Sequence, residues 1–176
     1  MKVILVSGKS GSGKDTVSEM LEAKMKLDGN RVMLTHYADL LKYVCKTYLG
    51  WDGVKDKHGR DLIQHVGTDI VRKQDPNFWI DFIVSMIRFF GDMWDYVIIS
   101  DCRFPNEVSV IKRQFPSLLL RVNRDNYENA MTDEQRQHES ETALDNADFD
   151  VEILNNGTLY DLNKQVEHVV NTCIYQ

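Results

Sequence analysis

The run Gly8-Lys9-Ser10-Gly11-Ser12-Gly13-Lys14-Asp15-Thr16 constrains this chain more than any other feature. A short apolar strand, Val3-Ile4-Leu5-Val6, leads into it, and a helical pattern with apolar Val17, Met20 and Leu21 follows. Strand, glycine-rich loop, lysine and helix, in that order, form the context of a phosphate-binding P-loop. Glycines let backbone N–H groups converge on phosphate oxygens. The helix N-terminus adds a positive dipole end, and Lys14 brings a full charge to the β- and γ-phosphates. Gly11, Ser12, Gly13, Lys14, Asp15 and Thr16 are therefore the expected contacts to ATP. The plainer alternative, an ordinary glycine-rich turn, needs four spaced elements to coincide.

The usual loop is G-x-x-x-x-G-K-[ST], with its last hydroxyl on Mg²⁺. Here Asp15 stands at that place and Thr16 follows. The layout resembles the loop of nucleoside monophosphate kinases such as adenylate kinase more than that of a GTPase or a motor. The companions of a GTPase also fail. Asp56-Lys57-His58-Gly59 follows no strand, and Asn163-Lys164-Gln165-Val166 lacks the final Asp of a guanine-reading motif.

Strands and helices alternate along the chain. Arg31–Thr35, Tyr96–Ser100, Ser117–Val122 and Asp150–Leu154 read as further strands, and the last residues of each are apolar or lead to a turn. The unalternating run Tyr96-Val97-Ile98-Ile99 marks a strand covered on both faces. Helices are expected over Ala38–Tyr48, Gly59–Lys73 (with Leu62, Ile63, Val66 and Ile70 inward), from Asp75-Pro76 (burying Phe78, Phe82, Met86 and Phe89 or close neighbours), over Pro105–Gln114, and after Thr158 (with Leu159, Leu162, Val166, Val169 and Cys173 inward). This order implies right-handed βαβ units in an α/β fold: a doubly wound, parallel, five-stranded sheet with helices on both faces. Ligands then bind beyond the carboxyl ends of the strands. Gly8, Tyr37, Asp101 and Arg124 all follow strands and fall at that edge.

Length and charge narrow the partners. The 176 residues suit one domain, residues 1–176, with 43% hydrophobic and 27% charged residues. A net charge of −6 argues against a duplex nucleic-acid platform but not against small phosphorylated ligands. Cys45, Cys102 and Cys173 have no C-x-x-C spacing and fit a reduced, cytoplasmic compartment. Met1 leads directly into the first strand, so no signal peptide is expected, and no apolar run reaches the ~20 residues of a membrane span.

Several residues are candidates for chemistry. Asp101, at the end of its strand, is placed like a Walker B carboxylate, either near Mg²⁺ or as a proton acceptor; capping the next turn is the plainer role. Arg103, two residues on, is suited to bidentate phosphate binding or to remaining a solvated loop side chain. Asp15 is either a dipole-stabilised carboxylate or a group near Mg²⁺ or the acceptor phosphate. Arg60, Gln64, Gly67, Thr68 and Val71 share one helix face. A glycine inside a helix costs about 1 kcal/mol against alanine, which a closely approaching flat group would justify. Trp79 reads as core or as a ligand platform. The polar segment of about 124–145, with Arg121, Arg124, Arg136 and His138, suits a mobile lid over ATP or a solvated loop.

Longer stretches carry a family resemblance. Arg60 to Asp69, Asp75-Pro76-Asn77-Phe78-Trp79, Asp101-Cys102-Arg103-Phe104-Pro105-Asn106-Glu107, His138-Glu139-Ser140-Glu141 and Asn155-Asn156-Gly157-Thr158-Leu159 resemble phage-type deoxynucleoside monophosphate kinases, in the same order and together with the loop. The resemblance implies transfer of the ATP γ-phosphoryl group to a 2′-deoxynucleoside 5′-monophosphate with Mg²⁺ near Asp15, Thr16 and Asp101. Lys14, Asp15, Asp101 and Arg103 are the expected catalytic residues. The acceptor falls in the region of about 37–94, near Leu41, Lys42, Arg60, Gln64, Gly67, Thr68 and Trp79, with Arg103 close by. Nucleotides are then the partners, with no nucleic acid or membrane, in the cytoplasm (a host's, if phage-encoded), and a homodimer is left open. Two departures bear on acceptor choice. Ser10 and Gly11 stand where a phage member has basic residues, and a long insertion before the arginine-bearing helix is missing. The rivals are a kinase of ribonucleotides or of dephospho-coenzyme A, and a regulatory module that binds ATP without transfer.

Overall fold

Aliphatic runs without polar interruption pair into a sheet that must be covered twice. The computed structural model, which describes residues 1–54, 56–125 and 131–175, shows such a sheet. Its strands are β1 (Lys2–Ser7), β2 (Val32–Thr35), β3 (Tyr96–Cys102), β4 (Ser117–Asn123) and β5 (Val151–Leu154), all parallel in the order β2-β3-β1-β4-β5. Strand alternation splits the core in two. Val3, Leu5, Val97, Ile99 and Leu119 face one side; Ile4, Val6, Ile98, Leu120 and Ile153 face the other.

The second side is covered by α1 (Lys14–Leu27), through Val17, Leu21 and Met25, and by α8 (Leu159–Val169), through Leu162, Val166 and Val169. Thr158 caps α8 by accepting from Asp161 N, although Leu159, expected inward, is exposed. The first side is covered by α2 (Ala38–Tyr48), α4 (Phe78–Phe90) and α5 (Pro105–Gln114). Between α2 and α4 in sequence, α3 (Lys57–Gln64) runs on as a π-helical stretch, His65–Arg72, packed beside α2. Two short helices, α6 (Asp133–Gln137) and α7 (Glu139–Thr142), precede β5. Among the described residues no helix is long and apolar enough to cross a membrane.

Three expectations need correction. First, the helix expected from Asp75-Pro76 begins at Phe78, and its buried face is Trp79, Ile80, Ile83, Val84 and Ile87, one residue round from the phenylalanines. Phe78 and Phe82 are partly exposed and Phe89 is 83% exposed. Two apolar stripes satisfy the same helical period on this segment, so periodicity does not choose; the isoleucine-rich one fills the space against the sheet. Second, Ile70 is exposed and Val71 packs inward, because the wider π turn changes the phase of the face. Third, the segment read as polar throughout buries Met131, Gln135 and Leu144; residues 126–130 of it lie outside the described residues.

The start of α2 carries a titratable pair. Asp39 Oδ2 accepts from His36 N at 3.0 Å and meets the His36 ring Nδ1 at 3.1 Å, while Lys42 Nζ donates to Asp39 Oδ1 at 3.2 Å. The hydrogen bond to Asp39 raises the imidazole above its usual 6.5, against partial burial and with help from Asp101. Partial burial alone would raise the Asp39 carboxyl, but His36 and Lys42 outweigh it and hold it at about 2. A raised imidazole adds stability that is complete below the unfolded value and is lost as pH rises through the folded one. The depressed carboxylate adds stability that is lost only in strong acid. Because the Asp39 side chain is 50% exposed, the effect is under about 1 kcal/mol. The urea midpoint should fall from about pH 6 to about pH 8, and His36→Gln should remove most of that slope. An unchanged slope in His36→Gln would disprove the coupling.

Candidate active site

The phosphate loop is shaped by its glycines. Gly11 and Gly13 have φ of 82° and 91°, the left-handed region where an L side chain is strained. A Cβ on Gly13 would also lie 2.3 Å from Asn155 Nδ2, which donates to Ser12 O at 2.9 Å and ties the loop to the end of β5. Gly13 then starts α1, and Lys14 is its first residue, buried at 8% exposure. Burial lowers the Lys14 pKa and Arg103 adds to this, opposed by Asp15, Glu141 and Asp101. Ser12 Oγ is buried without a hydrogen-bond partner.

The register of the sheet brings the second half of the site to this loop. Ser7 pairs with Cys102, after an irregularity between Leu5 and Ser7, so Asp101 stands beside the loop. Asp101 Oδ1 accepts from Tyr37 N at 2.7 Å and Oδ2 from Ala38 N at 3.0 Å. Its structural role is thus to hold the start of α2, not to cap the turn that follows it in sequence. Asp15 Oδ1 accepts from Ser100 Oγ at 3.1 Å and lies 4.0 Å from His36 Nε2.

These groups form one side of a cleft of about 290 Å³. Gly11, Lys14, Asp15, Asp101 and Arg103 line it with Leu41 and Lys42 from α2, Arg60, Gln64, Gly67 and Thr68 from α3 and its π extension, and Trp79 from α4. Gly67 has a visible reason. A Cβ there would lie 2.5 Å from Leu41 Cδ2, and Gly67 O accepts from Trp79 Nε1 at 3.1 Å. The close neighbour is therefore the protein's own Leu41. Trp79 is core as well as wall, at 5% exposure. Ser12, Gly13 and Thr16 belong to the loop without lining the cleft. Arg124 and Arg136 also stand outside its lining, and Arg136 Nη1 pairs with Asp133 at 2.8 Å.

Sequence reasoning gave no site role to several residues that line the cleft, among them Arg72, Glu107, Tyr37 and Glu141. Arg72 Nη2 pairs with Glu107 Oε1 at 2.6 Å, and the guanidinium lies 3.9 Å from the Phe104 ring centroid. Glu107 is buried, and its Oε2 accepts from Arg103 N at 2.6 Å and Phe104 N at 3.0 Å. Burial raises its carboxyl pKa, opposed first by Arg72. The signal for Arg72 was present: it continues the four-residue spacing of Arg60, Gln64 and Thr68. Tyr37 lines the cleft, its buried hydroxyl has no partner, and burial pushes the phenol pKa well up. Glu141 ends the His138–Glu141 stretch that carries the family resemblance, but nothing in its spacing points to the loop. Its Oε2 accepts from Ser10 N at 2.8 Å, its Oε1 pairs with Arg103 Nη1, and its side chain is 5% exposed.

Glu141 belongs to a strap from Met131 to Asp145. One end meets the P-loop through Glu141 and through Asp145, which binds Lys9 at 2.9 Å; the other meets α3, where Gln135 Nε2 donates to Asp61 at 2.6 Å. Among the described residues no group of three or more His, Cys, Asp or Glu could hold a metal alone. Asp15 and Asp101 offer hard oxygen donors, which suit Mg²⁺ when phosphate oxygens and water complete its shell.

Comparison with known proteins agrees with this geometry. The family model described as deoxynucleotide monophosphate kinase matches residues 54–166, and one described as zeta toxin matches residues 2–74. Phosphomevalonate kinase of Drosophila melanogaster is 31% identical over 117 residues, which is 61% of this chain; the match spans 58% of the length of that relative. Two solved kinases share the fold at low identity. An unliganded sugar kinase from Janibacter sp. HTCC2649 matches with a TM-score of 0.56 at 12% identity, covering 98% of this chain and 96% of the other. The APS kinase of Mycobacterium tuberculosis in complex with AMPPNP and APS matches with a TM-score of 0.50 at 11% identity, covering 97% and 95%. With its P-loop, its β3 edge and a family match across most of its length, the chain belongs to the deoxynucleotide monophosphate kinase family.

Proposed function

We propose that the protein transfers the γ-phosphoryl group of ATP to the phosphate of a 2′-deoxynucleoside 5′-monophosphate. The observation that carries this reading is a single cleft with two cationic walls. Lys14 and the loop form one; Lys42, Arg60 and Arg72 form the other, with Arg103 at the β3 edge. A module that only senses ATP has no use for the second wall. The family match favours a nucleotide acceptor. The printed name of the Drosophila relative points to another monophosphate, phosphomevalonate, so the acceptor is the decisive variable.

Phosphoryl transfer asks mainly for position and for charge neutralisation. In this reading the loop N–H groups and Lys14 bind the donor phosphates, and Arg103 neutralises the moving group. Arg60, Arg72 and Lys42 bind the acceptor phosphate, Gln64 and Thr68 hydrogen-bond the acceptor, and Leu41 and Trp79 wall its base. Asp15 and Asp101, with Thr16 nearby, would hold Mg²⁺, which when bound neutralises charge on the transferring phosphates. Glu141 stands in for a phosphate, since it already occupies Ser10 N–H and Arg103. ATP takes both donors from it, and the strap of 131–145 moves as a lid that carries Arg136, with Arg124 at its root. The net charge of −6 and three free cysteines agree with a soluble nucleotide substrate in the cytoplasm.

A coupled ADP-release assay across deoxy- and ribonucleoside monophosphates, dephospho-coenzyme A and phosphomevalonate tests the proposal; the highest kcat/KM should fall on a deoxynucleoside monophosphate. Turnover of a non-nucleotide acceptor alone would replace it. Lys14→Ala should fold normally and lose roughly 10²–10³ in rate, the usual cost of ~2.7–4 kcal/mol for an electrostatic stabiliser. Arg60→Ala should raise KM for the acceptor far more than for ATP; the reverse pattern would exchange the two walls. Glu141→Gln should lower KM for ATP severalfold with kcat retained, because the competing charge is gone. A drop in kcat at unchanged KM would instead make Glu141 a positioning residue for Arg103.

A further inference from the structure

The helix α4 is apolar around most of its circumference, yet only one face meets the core. Trp79, Ile80, Ile83, Val84 and Ile87 are buried, while Phe78, Phe82, Phe89 and Met93, just past its end, are 43%, 42%, 83% and 60% exposed. Helical spacing puts these four side chains in one stripe along the outside of the molecule. A helix that is apolar all round belongs in an interior. A contiguous exposed apolar patch marks a contact surface.

The charges beside the stripe identify the occupant. Asp81 and Arg88 are both exposed, lie on the same edge of the stripe, and are seven residues apart, close to two helical turns. Ser85, small and exposed, lies between them. One nitrogen of Arg88 donates to Gln114 Oε1 at 2.8 Å, which holds the side chain at that edge. We propose that this face is the contact between two copies of the chain, with α4 packed antiparallel on α4 of the second copy about a two-fold axis near Ser85. That axis sets Asp81 against Arg88 of the second copy and Arg88 against its Asp81, as an isologous contact requires. Parallel packing would set like charges together.

The available area is adequate. Aromatic side chains bury roughly 150–250 Å² each when fully covered, so Phe78, Phe82 and Phe89 with Met93 supply a few hundred Å² of apolar surface per copy. A standard interface of ~800 Å² per partner is only about half apolar. The proposal does not depend on the reaction or on the acceptor.

Sedimentation velocity of the whole chain, from about 1 to about 100 µM, tests it. The wild type should dimerise within that range. Asp81→Arg and Arg88→Asp alone should each weaken the dimer at least about tenfold, and the double exchange should restore it to within about threefold, with folding checked by circular dichroism. Phe89→Glu, at a position too exposed to disturb the core, should give a monomer. A wild type that stays monomeric throughout, a dimer that survives Phe89→Glu, or a double exchange as weak as either single change would each overturn it.

Discussion

Glu107 is the carboxylate on which the cleft depends. It is 1% exposed and takes hydrogen bonds from Arg103 N, Phe104 N and Arg72 Nη2. Three pieces of chain that are distant or newly turned thus converge on one charge: the end of β3, the start of α5 and the last turn of the π stretch after α3. Such a charge is costly to bury and is tolerated only when fully paired; breaking a buried pair from one side typically costs about 3–5 kcal/mol. The geometry around Arg103 is therefore stiff at its backbone, while its guanidinium is left to interact with Glu141. Arg72 is likewise fixed between Glu107 and the Phe104 ring, so the far wall of the cleft carries a cation whose position does not await a ligand.

A second carboxylate, Asp101, performs a parallel task. It joins β3 to α2 through Tyr37 N and Ala38 N, which carries Leu41 and Lys42 to the cleft. Lys42 and Arg72, on the same wall of the cleft, are therefore held by two carboxylates, Asp101 near the end of β3 and Glu107 in the first turn of α5. The strap from Met131 to Asp145 closes the arrangement with acidic groups, Glu141 on Ser10 N–H and Arg103, and Asp145 on Lys9 and Arg121. These carboxylates satisfy donors of the basic, partly dry cleft that would otherwise be unpaired.

Much of this was legible in residue order. A continuous aliphatic run reads as a doubly covered strand because its neighbours in sequence cannot avoid either face, and the predicted strands and most helices fall where that argument puts them. The four-residue spacing of Arg60, Gln64 and Thr68 was also readable, and it extends to Arg72. The inward face of α4 was not. Its phenylalanines and isoleucines repeat with the same period, and hydrophobicity alone ranks the larger rings first. What settled the choice was the shape of the space between α2, α5 and the sheet, which the isoleucines and Trp79 fill.

By itself the sequence determined the parallel α/β layering, the phosphate loop and the placement of Asp101 at a strand end, because these follow from local pattern: unalternating strands, glycines needed at positive φ, and a lysine one residue into a helix. Only the tertiary structure decided that Glu107 and Asp101 serve as hubs, that Glu141 reaches the loop from well over a hundred residues away, and that the phenylalanine stripe of α4 stays outside. Those outcomes depend on desolvation and on space shared between distant segments, quantities that no window of neighbouring residues contains.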